Sequence, residues 1–171
     1  MPSTTLTIAI QRKLQEVVER TEHLIALVPA DSLHWHPEAP DNNFGQLGDL
    51  LGHLLDCMGG VCAVMLRAFP EQLASFADLR SQIVNHFSSP KETLRRFQAY
   101  RNCIDAGFVC CLDADLERTL PSVFVPEGLP MLTLLLNNLE HLVSHKYQLF
   151  FYLKLLGLKV GTQDIYHFHK Q

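Results

Sequence analysis

The chain has 171 residues, 47% of them hydrophobic and 19% charged, with a formal net charge of −4. That length can bury a core without disulfide or metal staples, and the composition is that of an ordinary globular protein. A net negative chain with no run of five like charges lacks the basic face that charge-driven nucleic-acid binding requires, so no nucleic-acid partner is expected.

The stretch Met1 to Arg20 is broken by Gln11, Arg12 and Lys13 and is followed by no small-residue cleavage site. It predicts the start of an amphipathic helix and not a signal peptide. The most apolar window is read around Met131–Val143, where Asn137, Asn138, Glu140 and His141 interrupt it. It falls short of the roughly 20 apolar residues of a membrane span, so no membrane association is expected. The cysteines, Cys57, Cys62, Cys103, Cys110 and Cys111, are odd in number and form no C-x-x-C. They predict reduced thiols and a cytoplasmic location.

A first helix is predicted over Thr5–Val28. Its apolar stripe is Ile10, Leu14, Val17, Val18, Thr21, Leu24, Ile25 and Val28, and Pro29 closes it. Pro37 and Pro40 break the segment that follows. A second helix spans Gln46–Ala68 with Pro70 as its stop. The connection from Glu71 to Ser88 is then long for a small helical domain, as a crossover between parallel helices would be. A short helix is expected within Asp78–Phe87. Ser89-Pro90-Lys91-Glu92 reads as a capping box that starts a third helix, with Leu94, Phe97, Ile104, Phe108 and Leu112 as its core face. Thr119 to Pro130 reads as loop or short extended chain. A fourth helix runs Met131–Leu156 and ends at Gly157. The expected fold is all-α, a single-domain four-helix bundle over residues 1–171.

The fourth helix carries His141-Leu142-Val143-Ser144-His145. The i, i+4 spacing puts both imidazoles on one helix face, the geometry of a two-point grip on a divalent metal. Spacing alone is weak, because a chain with nine histidines readily yields such a pair by chance and it can lie on a solvated face. The surroundings add to it. Asn137, Asn138, His141, His145 and Gln148 form one polar stripe on an otherwise apolar helix. Polar groups buried without partners cost several kcal/mol, so the stripe must meet water, a ligand or a metal. His53 lies among Leu50, Leu51, Leu54 and Leu55. Facing the pair across a bundle, it becomes a third ligand, and three imidazoles with an open position are typical of a reactive site. Asp49 or Asp56 is the expected acceptor for its outer N–H.

At both ends the motifs resemble the DinB/YfiT-like family. Leu33-His34-Trp35-His36-Pro37 followed by Gln46-Leu47-Gly48-Asp49-Leu50-Leu51-Gly52-His53 is similar to its first half. His141-Leu142-Val143-Ser144-His145-Lys146-Tyr147-Gln148-Leu149 with Tyr152-Leu153-Lys154-Leu155-Leu156-Gly157 is similar to its second. The resemblance spans residues 33–157, with Gln46, Ser144 and Lys146-Tyr147 departing from the family pattern. It implies an up-down-down-up bundle and a zinc- or nickel-type site on His53, His141 and His145. It also implies, as activity, transfer of a low-molecular-weight thiol to an electrophile. Hydrolysis of a small substrate by metal-bound hydroxide is the sibling reading. A non-catalytic metal- or small-ligand-binding stress-response module is the alternative, and purely structural, metal-free histidines are a third.

Arg101 and Asp105 fit an i, i+4 ion pair at a face edge better than a substrate anchor. Cys57 reads as a buried small hydrophobe, with a fourth ligand as its functional alternative. Trp35 is expected to plug the end of the bundle and His23 to be exposed. The side of helix four carrying Leu132, Leu136, Leu139, Val143 and Phe150 suggests a homodimer.

Overall fold

The stripe of the first helix turns inward as expected. In the computed structural model, which describes residues 4–38, 45–122 and 125–166, α1 spans Thr5–Ala26 and buries Ile10, Leu14, Val17, Val18, Thr21, Leu24 and Ile25. Its first N–H groups have no partner within the helix. The Asp113 carboxylate supplies one, accepting from Leu6 N at 3.2 Å, Thr7 N at 2.8 Å and Thr7 Oγ1 at 2.8 Å. Pro40, one of the two expected breakers, lies outside the described residues.

Helix α2, Leu47–Ala68, is the centre of the molecule: fifteen of its 22 residues are buried. It packs against both α3 (Pro90–Cys110) and α4 (Met131–Leu155), and α1 packs against the same two. Two carbonyls of the preceding turn satisfy its free N–H groups, Trp35 O taking Leu47 N and Leu33 O taking Gly48 N, both at 2.8 Å. Asp49, expected beside His53, instead accepts from Gln46 N at 3.2 Å and closes the helix start. By length and composition α2, and not the start of α4, is the stretch suited to crossing a membrane, and 67% of it is buried inside the protein.

The connection after α2 departs from its expected course. The short helix is a 3₁₀ segment at Ala74–Ser81, and the chain beyond Gln82 is non-helical. The helix ends where Gln82 turns extended at φ −72, ψ 128, and Asn85 then takes φ 56, a left-handed conformation that Asn tolerates better than most residues and that no helix continues through. The segment's N–H groups go to α2 instead, Asn85 N to Gly52 O at 3.2 Å and Ser88 N to Gly48 O at 2.9 Å. Such an approach needs two bare positions one turn apart. A Cβ on Gly52 would stand 1.7 Å from His86 O, and one on Gly48 would stand 2.5 Å from the Phe87 ring.

Ser89 caps α3, its Oγ accepting from Glu92 N at 3.3 Å. Only half of the expected box forms, because the Glu92 carboxylate turns to Arg95 at 2.7 Å. Phe97, Ile104 and Phe108 are buried, joined by Tyr100, Cys103 and Arg96, whose guanidinium holds Ile83 O at 2.7 Å and Tyr100 OH at 2.8 Å. Leu94 is half-buried. Leu112 lies past the helix end and is 38% exposed, so it is not a core residue. A two-residue hairpin, β1 Thr119–Leu120 with β2 Leu129–Pro130, leads into α4. Gly157 ends α4 at φ 87, with Leu158 N on Leu153 O and Gly157 N on Lys154 O, both 3.0 Å, the paired closure that glycine at this position permits. A short α5, Thr162–Ile165, then docks on α1 through His23 and Asp164, 2.8 Å apart. His23 is therefore half-exposed and paired, not free.

Candidate metal centre

Helices α2 and α4 bring the three predicted histidines to one point. His53 Nε2 lies 3.0 Å from His141 Nε2 and 3.0 Å from His145 Nε2. The three form the one cluster of potential metal ligands found among the described residues. The rings stand edge-on, at 72° for His53 with His141 and 86° for His53 with His145, so they meet nitrogen to nitrogen and do not stack.

The outer nitrogens fix the tautomers. His53 Nδ1 lies 2.5 Å from Asn85 Oδ1, and His145 Nδ1 lies 2.8 Å from Gln148 Oε1. An amide oxygen only accepts, so both Nδ1 atoms carry the proton. In the neutral rings the two Nε2 atoms then carry lone pairs, and these face each other at 3.0 Å. A proton on His141 Nε2, 3.0 Å from His53 Nε2, or a cation shared by the rings relieves that repulsion. Nitrogens 3.0 Å apart both reach a point about 2.1 Å from each, the usual zinc–imidazole distance, and subtend roughly 90° there, which leaves one face open. The residues fit a small divalent ion.

The outer shell was only half legible. Gln148 belongs to the predicted polar stripe, and its Nε2 donates to Tyr152 OH at 3.3 Å, which donates to Gly45 O at 3.1 Å. Trp35 packs edge-on against Tyr152 at 5.4 Å, so this aromatic supports the arm behind His145. Asn85, in place of Asp49 or Asp56, holds His53. Asn85 stands in the stretch expected to form a short helix, so the sequence offers no cue to this role. Asp56 lines the adjoining cavity instead. Asn138 turns inward against Gly60, with its Nδ2 on Leu134 O at 2.7 Å, and Asn137 is exposed.

Two other residues weighed in the sequence take structural positions. Cys57 is fully buried and its thiol is pushed up to about 12, chiefly by burial. It is not among the clustered ligands. Arg101 reaches Glu19 at 2.9 Å and Glu22 at 3.3 Å on α1, with Asp105 at 4.0 Å. It ties α3 to α1 and does not line the cavity beside the histidines.

That cavity, about 980 Å³, is lined in part by His53 and His141. A second, of about 390 Å³, shares Gly60, Arg67, Asn138 and His141 with it. Comparison with family models, with curated proteins and with solved structures finds no match to this chain.

Two results are expected from this geometry. Asn85→Gly keeps the left-handed backbone and removes the acceptor behind His53, so zinc affinity falls about 10–100-fold, read by competition with a chromophoric chelator. Burial first, and the neighbouring imidazoles after it, hold His141 and His145 below the ordinary histidine pKa. For the metal-free protein the sign follows. Below about pH 6.5 the unfolded chain takes up protons that the folded chain refuses, so stability is complete above that pH and is lost as pH falls through the depressed values. Melting curves of chelator-treated protein between pH 5 and 8 are expected to show this fall, and a His141→Asn/His145→Gln double variant to flatten it.

Proposed function

We propose that this chain is a divalent-metal-dependent enzyme of the DinB/YfiT-like type, acting on a small molecule in the cavity beside His53 and His141. The observation that carries the reading is the gathering of three imidazole nitrogens at one point, His53 Nε2 lying 3.0 Å from both His141 Nε2 and His145 Nε2, with Asn85 and Gln148 holding the outer nitrogens of His53 and His145. Three neutral imidazoles leave a bound metal its full charge, and such a metal lowers the pKa of a coordinated thiol or water toward 7. The protein's own part is to hold the rings through Asn85 and Gln148, to keep His141 and His145 neutral by burial, and to offer the open side of the site to the cavity. Transfer of a low-molecular-weight thiol to an electrophile is the reaction we favour, with hydrolysis of a small substrate as its sibling. A non-catalytic metal-binding module would be better served by a fourth protein ligand, and Cys57 does not supply one.

The up-down-down-up arrangement is part of the same proposal. It is supported by Cys62 against Cys103 and Met65 against Gly107, which pair α2 and α3 in the same direction. Gln15 against Asp105, and Thr7 against Asp113 just past the end of α3, set α1 and α3 in opposite directions. A homodimer has thinner support: of the apolar residues on the far side of α4, Phe150 is buried, Leu132, Leu139 and Val143 pack on the core, and Leu136 is exposed.

The reaction class is tested on cobalt-substituted protein with a simple thiol such as 2-mercaptoethanol. The account expects a sulfur-to-cobalt charge-transfer band and release of about one proton per chain. An unchanged spectrum at saturating thiol would remove the thiol chemistry and leave the hydrolytic sibling.

A further inference from the structure

The part of the large cavity away from the histidines is built differently from the part beside them. His53, Asp56 and His141 line it near the middle of α2 and α4, Arg67 and Arg80 line it near the end of α2 with Leu66, Leu79 and Pro70, and Gly59, Gly60, Cys62, Ala63 and Val84 are among the residues between. The two arginines share that end because Arg80 Nη2 donates to Leu66 O at 2.6 Å, beside the Arg67 backbone. Arg67 in turn donates to Pro121 O. Arg95, Arg101 and Arg118 each have a carboxylate within 4.0 Å. Among the described residues, neither Arg67 nor Arg80 has one.

Two exposed guanidinium groups held by carbonyls, with no carboxylate on either among the described residues and both lining one cavity of a net negative chain, are complementary to a carboxylate or a phosphate. We infer that the substrate is an elongated molecule whose far end is anionic and is held by Arg67 and Arg80, while its reacting end lies at the three histidines. This rests on the metal-enzyme reading for the reacting end alone. From His53 to Arg67 is fourteen residues, about 21 Å of helix. Both side chains lean the same way along the helix, so the span between the two ends stays on the order of 20 Å. Substrates of two or three carbons cannot bridge it, and the apolar middle calls for a chain that is mostly hydrocarbon or otherwise uncharged.

The test has two independent arms. Metal-free protein is titrated with octanoate, octyl phosphate and neutral octanamide, followed by calorimetry and by the arginine side-chain N–H signals in NMR. The anions are expected to bind at least tenfold tighter than the amide, and an Arg67→Met/Arg80→Met double variant to lose that preference. Whether octanoate or octyl phosphate binds tighter tells which anion the pair prefers. Equal binding of anion and amide overturns the anionic subsite. In the second arm zinc-loaded protein meets acetohydroxamate and a series of alkyl hydroxamates ending in carboxylate or amide. Acetohydroxamate is expected to bind wild type and double variant alike. The carboxylate ending is expected to outbind the amide tenfold or more once the chain is long enough to span. A carboxylate advantage absent at every length overturns the single elongated substrate. Failure of acetohydroxamate to bind overturns the metal-enzyme reading, and the first arm still decides the anionic subsite.

Discussion

Gly52→Ala lowers the melting temperature by roughly 4–8 °C, although alanine is the better helix former. Two terms oppose each other. In a helix interior the exchange of Gly for Ala is favourable by about 1 kcal/mol. Here the new Cβ would stand 1.7 Å from the His86 carbonyl oxygen, which is backbone and has no rotamer to escape into. The crossover must lift, losing the Asn85 N to Gly52 O bond at 3.2 Å and the seat of Ser88 on Gly48. Overpacking of this kind costs about 3 kcal/mol, which outweighs the gain in propensity by about 2 kcal/mol or more. For a chain of this size each kcal/mol is worth about 2–4 °C. Gly59→Ala is the control with the opposite sign. Its nearest neighbour would be Val84 Cγ1 at 3.7 Å, an ordinary contact, so it should gain about 0.5–1 kcal/mol. Because Asn85 rides on the displaced segment, Gly52→Ala should also weaken zinc binding about as much as Asn85→Gly does. A melting temperature unchanged or raised in Gly52→Ala would show that the crossover does not rest on α2.

Zinc raises the melting temperature by roughly 10 °C, and His141→Ala cuts the increase to about 1–5 °C. A ligand that binds only the folded chain stabilises it by about 4 kcal/mol at a thousandfold excess over its Kd, which at about 2–4 °C per kcal/mol gives that shift. Complete zinc sites bind with about 10–16 kcal/mol. Losing one of three imidazoles therefore removes on the order of 10²–10³-fold in affinity, which leaves only about 0.4–1.4 kcal/mol of stabilisation at the same zinc concentration. The variant without zinc should melt near the wild-type apo protein, since His141 is half-buried and its known partners are the other two rings. Thermal scans with zinc and with chelator, on both proteins, check the two halves separately. An equal zinc shift in His141→Ala would place the metal elsewhere.

How much of this could be read from the residues depends on the range of the interaction. The four long helices are legible because periodicity, Pro29, the Ser89-Pro90 start and Gly157 are local signals, and they fall within a few residues of the observed ends. The histidines were legible because His141 and His145 share a helix face by spacing, and a leucine-flanked His53 needs a partner. Asn85 was not, since nothing local says that the crossover will lie across Gly48 and Gly52. Only the route of the chain turns an exposed Asn into the group that holds His53. Asp49 went to its own helix start for a related reason: a carboxylate three residues from a free N–H is closer to that donor than to any ring. The same limit hid the assembly of Arg67 and Arg80, thirteen residues apart on a helix and on a 3₁₀ segment, beside one cavity.

The central claim is that three imidazole nitrogens share one cation. It is tested most directly by elemental analysis of protein purified without chelator or metal-affinity resin, beside a His145→Ala variant handled identically. The account predicts about one divalent metal per chain in the first and nearly none in the second. Equal metal in the two, or none in either after exposure to zinc and nickel, would contradict it.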